Sequence, residues 1–256
     1  IGYQGLFKVG CWTRLSLRIS GPQHTSFRPV ITVADPDGAP VDEIWPELEL
    51  PSEGAIEVSS WVRLGRLGTP IRIQIEAGNQ RINLQTLPTN GTASESGGGV
   101  IRSLPQHHQL WMLVGDHPAF LHAKARWNEA VANTLEIVQA QDLRRLAPPL
   151  SEGLNAIVLD PTVTVNELES TTLATWVHRG GRLIIPVGAA VDELRVSPVA
   201  SWLPILPVEV GYTRNLVPLR ELVPKSASLK VVTELPAARF PEGQGTFLAG
   251  QLVVRG

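Results

Sequence analysis

The sequence predicts two domains in tandem, an all-β sandwich followed by an open, doubly wound α/β layer. Three observations predict it. Through roughly the first hundred positions apolar residues alternate with polar ones, with turn residues between the runs. From Gln109 onward, continuous apolar runs alternate with stripes at helical spacing. Between them, residues 87–99 read Leu-Pro-Thr-Asn-Gly-Thr-Ala-Ser-Glu-Ser-Gly-Gly-Gly, a solvated stretch with nothing to bury. The expected domains are residues 1–104, with 87–99 as linker or loop, and residues 105–256.

In the first domain Leu15, Leu17 and Ile19 face one way, while Ser16, Arg18 and Ser20 face the other. Val30 to Val33 continues the pattern into Asp35-Pro36-Asp37-Gly38, a turn in which proline presets φ and glycine takes the positive-φ position. Ile56 and Val58 alternate with Glu57 and Ser59. Ile71, Ile73 and Ile75 alternate with Arg72, Gln74 and Glu76, before Gly78-Asn79 turns the chain into Ile82 and Leu84. Such spacing predicts a sandwich of about seven strands, with an isolated barrel as the lesser alternative. Trp12, Trp45 and Trp61 are expected to fill or seal its core, the competing reading being stacking platforms for a glycan. Cys11 is expected to be a small buried filler and not a reactive thiol, with no His or Lys beside it in sequence. Val100 to Leu104 is also open to assignment to this domain, with 87–99 then a long hairpin loop.

In the second domain Leu110 to Val114 is an apolar run suited to a strand buried on both faces. It ends at Gly115-Asp116-His117-Pro118, where Asp116 can cap a helix carrying Phe120, Leu121, Lys124, Trp127 and Val131 at helical spacing. Leu135 to Val138 and Asn155 to Leu159 are further strands. Asn166 and Glu169 have the spacing of a capping box, Leu168, Leu173, Trp176 and Val177 make a buried stripe, and Gly180-Gly181 stops the helix. Arg182 to Val187 is a fourth strand, ending at Gly188. Alternation of this kind predicts parallel pairing in a flavodoxin-like layer, with ligands at the carboxyl ends of the strands. The expected ligand-binding residues are therefore Asp116, His117, Asp160, Thr162 and Gly188. The run from Pro198 to Pro224, with Trp202-Leu203-Pro204-Ile205-Leu206-Pro207, is expected to pack irregularly on the sheet rather than form a docking surface.

Bulk composition excludes several functions. With 22 basic and 24 acidic residues the net charge is -2, so no basic field attracts nucleic acid or anionic lipid. A single cysteine rules out an intramolecular disulfide and a multi-thiolate zinc site. No apolar run approaches the roughly 20 residues that span a bilayer.

The residues Ile157-Val158-Leu159-Asp160, Leu173-Ala174-Thr175-Trp176-Val177 and Gly180-Gly181-Arg182-Leu183-Ile184-Ile185 resemble the class I glutamine amidotransferase-like (flavodoxin-like) domain of large bacterial envelope proteins, in which a β-sandwich precedes the α/β domain. The opening Gly5-Leu6-Phe7-Lys8-Val9-Gly10-Cys11-Trp12-Thr13 is similar to the first strand of that sandwich. The resemblance implies a three-layer second domain cut short at its C-terminal end, with residues 251–256 as one strand of a closing hairpin. It also implies a periplasmic or other extracytoplasmic location, a cytoplasmic one being the alternative, and membrane association only through segments outside this chain.

Active amidotransferases of this class carry a cysteine on a sharp strand-to-helix turn. Cys11 lies in the other domain, and no Gly-x-Cys or Gly-x-Ser-x-Gly element follows a strand. No phosphate loop is present, and His107, His108, His117 and His122 flank a strand and a helix start without converging as ligands by spacing. No catalytic residue, metal or cofactor is assigned. The reading that follows is a non-catalytic interaction or scaffold module of the bacterial envelope, a pseudoenzyme with protein partners. Its rivals are a hydrolase-like enzyme using Asp116, His117 and Asp160, and a glycan-binding module.

Overall fold

The computed structural model describes residues 1–22, 25–52, 54–90, 100–117, 120–121, 124, 134–143, 150–213, 235–240 and 251–255, with backbone alone at 150–151, 213, 235–237 and 251–255. The chain divides into two compact units, residues 1–109 with 148–153, and residues 110–147 with 154–256. Most of the expected linker, residues 91–99, lies outside the described residues.

The first unit is β-rich. Its strands are β1 (Leu6–Lys8), β2 (Trp12–Ser20), β3 (Ser26–Ala34), β4 (Pro40–Ile44), β5 (Leu48–Glu49), β6 (Ala55–Arg63), β7 (Ile71–Ala77), β8 (Gln80–Leu87) and β9 (Arg102–Leu104). Strands β2 and β6 pair antiparallel as a two-stranded ribbon. The larger sheet runs β4-β3-β7-β8, with β5 also on β3. Strand β9 pairs parallel with β1, which ties the residues after the expected linker to the first unit.

Alternation sets the core. Leu15 and Val62 from the ribbon meet Ile31, Val33, Ile71 and Ile73 from the larger sheet, with Phe7, Trp45, Leu64 and Leu87 completing the cluster. Ile19, Phe27 and Leu50 form a second cluster. Trp45 is a core residue as expected, at 6% exposure, and its buried indole N–H has no acceptor among the described residues. Ile82 and Leu84 depart from expectation and are exposed. Strand β8 is an edge, and its register slips at Ile73/Gln74, so the period-two reading does not carry through it.

The second unit contains β10 (Gln109–Val114), β11 (Leu135–Ala140), β12 (Ala156–Leu159), α1 (Glu167–His178), β13 (Arg182–Pro186), α2 (Val191–Val196), β14 (Glu209–Thr213), β15 (Leu235–Arg239) and β16 (Gln251–Arg255). Its main sheet has the order β11-β10-β12-β13-β16. Pairing is parallel for β10 with β12 and for β12 with β13, but antiparallel for β13 with β16. Strands β14 and β15 form a separate antiparallel pair.

These findings overturn the expected three-layer, flavodoxin-like second domain, and with it the amidotransferase-like assignment that made the chain a pseudoenzyme of that class. Strand predominates, and among the described residues only α1 and α2 are helices with defined bounds. The last of the main strands is antiparallel. The physical reason is that a doubly buried apolar strand reports that both faces are covered, not that helices cover them. Here Val199, Leu203 and Ile205, from a short 3-10 turn and the proline-rich run after it, are buried along with Val191 and Leu194 of the six-residue α2. The rest of that run, residues 214–224, lies outside the described residues, as do Trp127 and Val131 of the expected earlier helix, of which Phe120, Leu121 and Lys124 are helical.

Helix α1 is legible residue by residue. Asn166 Oδ1 accepts from the Glu169 N–H at 2.9 Å, and the Glu169 carboxylate accepts from the Asn166 N–H at 3.0 Å, closing the capping box. At the other end the Gly180 N–H donates to Val177 O and the Gly181 N–H to Trp176 O, with Gly180 at φ 97°, a Schellman stop. Leu168 is a correction: it is exposed, and the buried member of that turn is Ser170, whose hydroxyl accepts from Trp202 Nε1 at 2.9 Å. Asn166→Ala is expected to lower stability by about 1 kcal/mol in urea unfolding, the usual cost of a lost cap. Among the described residues no helix is long and apolar enough to cross a membrane.

Candidate functional site

Loops after β10 and β12 lie side by side, since a Cβ at Gly115 would stand 2.6 Å from the Asp160 Cβ. The side chains expected to act there have local engagements. Asp160 Oδ1 accepts from the Thr162 N–H at 2.9 Å and its hydroxyl at 2.7 Å, the geometry of an Asx turn. His117 is buried at 5% exposure, with Nε2 3.0 Å from Val114 O and its ring edge-on to Phe120. Asp116 is exposed, and Gly188 sits at φ 52° in the turn after β13. The geometry joins Asp160 to Thr162, while His117 engages the backbone carbonyl of Val114 three residues before it. Among the described residues no group of three His, Cys, Asp or Glu is placed to hold a metal.

A different surface gathers side chains with a common direction. The register of β2 with β6 sets Trp12 opposite Arg63, Arg14 opposite Trp61, Ser16 opposite Ser59 and Arg18 opposite Glu57. Because Thr13, Leu15 and Ile19 point into the core, Trp12, Arg14, Ser16 and Arg18 lie on the opposite face of the ribbon, as do Glu57, Ser59, Trp61 and Arg63. Trp12 and Trp61 are half-buried and the charged members are exposed. Of the three tryptophans expected to fill or seal the core, Trp45 alone is fully buried in it. The signal was present: carrying the alternation of Ser16 and Arg18 back two steps reaches Arg14 and Trp12, and carrying Glu57 and Ser59 forward reaches Trp61.

Both central arginines are held in place. Arg14 donates from Nε and Nη2 to Ser59 Oγ at 3.2 and 2.9 Å, and Arg63 Nε donates to Gly10 O at 2.8 Å. At the Trp12 end, the Glu152 carboxylate accepts from the Trp12 backbone N–H at 3.1 Å. Below it lies the half-buried Cys11. Burial pushes its thiol pKa up, Lys8 and Arg63 oppose that shift and Glu152 adds to it, so the thiol is held in its protonated form. Lys8, three residues back, is brought beside it by a turn in which the Cys11 N–H donates to Lys8 O at 3.3 Å, and burial lowers the Lys8 pKa. The sequence places no lysine next to Cys11; the turn does. A protonated, half-buried thiol agrees with a packing role.

No protein-family model matches the sequence, and no curated protein matches it. Among solved structures, the chain superposes on a carbohydrate acetylesterase from Xanthomonas citri at a TM-score of 0.28 and 7% identity, covering 68% of this chain and 55% of that one. It also superposes on the N-terminal CBM22-1–GH10 modules of xylanase 10B from Clostridium thermocellum in complex with xylohexaose, at a TM-score of 0.22 and 10% identity, covering 62% of this chain and 29% of that one. Superpositions this loose assign neither fold nor activity. The chain spans little more than half of the esterase it matches.

Proposed function

We propose that the chain is a non-catalytic interaction module that binds polysaccharide on the solvent face of the β2–β6 ribbon. The observation that supports it is the register that sets Trp12 and Trp61 on one outward face, half-buried, each directly across from an arginine. Aromatic rings offer flat apolar area to the C–H faces of sugars at little cost in side-chain entropy, and the neighbouring serines and arginines supply hydrogen-bonding groups for hydroxyls. Apart from the tryptophans and Ala55, every outward residue of the ribbon is polar or charged. Extracytoplasmic placement belongs to the same proposal, since a polysaccharide ligand is met there.

Affinity electrophoresis through gels containing xylan, galactan or polygalacturonate tests it. Retardation by at least one polymer is expected. Trp61→Ala should weaken binding roughly 30-fold, the effect of truncating an aromatic anchor worth about 2 kcal/mol. Trp61→Phe should retain most of it. Equal mobility of wild type and Trp61→Ala in every gel, with unchanged unfolding midpoints, would sink the reading.

A further inference from the structure

We infer that the ribbon selects acidic glycans, with Arg14 and Arg63 as the residues that read the carboxylate of a uronate; this rests on the glycan reading of the same face. The outward residues include Arg14, Arg18 and Arg63 against the single acid Glu57, so the face is locally positive on a chain whose net charge is -2. Glu152, the other acid nearby, is exposed and accepts from the Trp12 backbone at one end of the ribbon.

Position and pre-organisation distinguish Arg14 and Arg63 from ordinary surface arginines. Each faces a tryptophan across the ribbon, and the two pairs are neighbours, because Trp12 and Arg14 are two residues apart on one strand as Trp61 and Arg63 are on the other. A sugar ring on either tryptophan thus has a guanidinium next to it on both strands. Ser59 fixes Arg14 and the Gly10 carbonyl fixes Arg63 through Nε, which lowers the entropy lost when a ligand is bound. Most of the five N–H donors of each guanidinium remain, enough for a planar, two-bond clasp on a carboxylate. A neutral sugar would offer these donors only hydroxyl oxygens, which accept more weakly than a carboxylate.

Isothermal titration with polygalacturonate and with fully methyl-esterified polygalacturonate of matched length tests the inference, since the polymers share a backbone and differ in charge. The acid form is expected to bind about tenfold more tightly or better, as hydrogen bonds between ions are stronger than neutral ones. Its advantage should shrink as sodium chloride is raised, by screening. In Arg14→Gln and Arg63→Gln, checked for unchanged unfolding midpoints, the ratio between the two polymers should fall toward one. Equal affinity of the wild type for both polymers would overturn the acidic preference and leave the glycan reading standing. Absence of binding to either would overturn both. Poly-L-glutamate bound as tightly as polygalacturonate, with no dependence on Trp61, would overturn them in favour of an acidic protein ligand.

Discussion

Phe7→Ala is expected to destabilise the first unit by about 3–5 kcal/mol, a large share of the 5–15 kcal/mol that holds a typical domain together. Phe7 is 2% exposed and packs in the cluster that joins the ribbon residues Leu15 and Val62 to Ile31, Val33, Ile71 and Ile73 of the larger sheet. Truncation removes the transfer free energy of the ring and leaves a void in a cluster that includes the β-branched Ile31, Val33, Val62, Ile71 and Ile73, which have few alternative rotamers. It also loosens the support of the short strand that leads into Cys11 and Trp12. Urea unfolding should show a lower midpoint with an unchanged slope. A loss under 1 kcal/mol would mean that Phe7 is not at the centre of this core.

Gly65→Ala is expected to cost about 3 kcal/mol or more. A Cβ there would stand 2.3 Å from the Asp35 carbonyl carbon and from Pro36 N, which are backbone atoms and cannot swing aside like a side chain. The Gly65 N–H donates to Ala34 O at 2.8 Å, so withdrawal would also break a hydrogen bond. The position lies two residues beyond Arg63 and next to the fully buried Leu64, whose carbonyl accepts from the Gly10 N–H at 2.7 Å. Relief of the clash would therefore shift the end of β6 that carries Trp61 and Arg63. Lower stability together with weaker polysaccharide binding is the expected outcome. Unfolding and binding both at wild-type levels would show that the chain can part at Asp35-Pro36.

Local grammar was legible wherever a single period governed. The strands through Leu15, Ile31 and Ile73 follow from alternation, and α1 follows from Asn166, Glu169 and Gly180-Gly181, because each of those signals acts within a few residues. What covers the sheet of the second unit was not legible. Apolar runs at β10, β12 and β13 demand burial, but Val199, Leu203 and Ile205 are buried in a short 3-10 turn and the proline-rich run after it, where no helical period announces them. Leu168 misled for a related reason: a leucine at helical spacing counts toward a stripe, while Ser170 is buried through a hydrogen bond to Trp202 that no periodicity announces. The ribbon face was legible in part. Alternation places Trp12 and Trp61 outward, but only the cross-strand register brings each opposite an arginine.

A two-dimensional 15N–1H titration of the protein with polygalacturonate tests the central claim most directly. The account predicts that the indole N–H signals of Trp12 and Trp61 and the amides of β2 and β6 shift together with one saturation curve, while Gly115, Asp116, His117, Asp160, Thr162 and Gly188 stay in place. Shifts concentrated on those strand-end loops, with the ribbon signals unmoved, would contradict it.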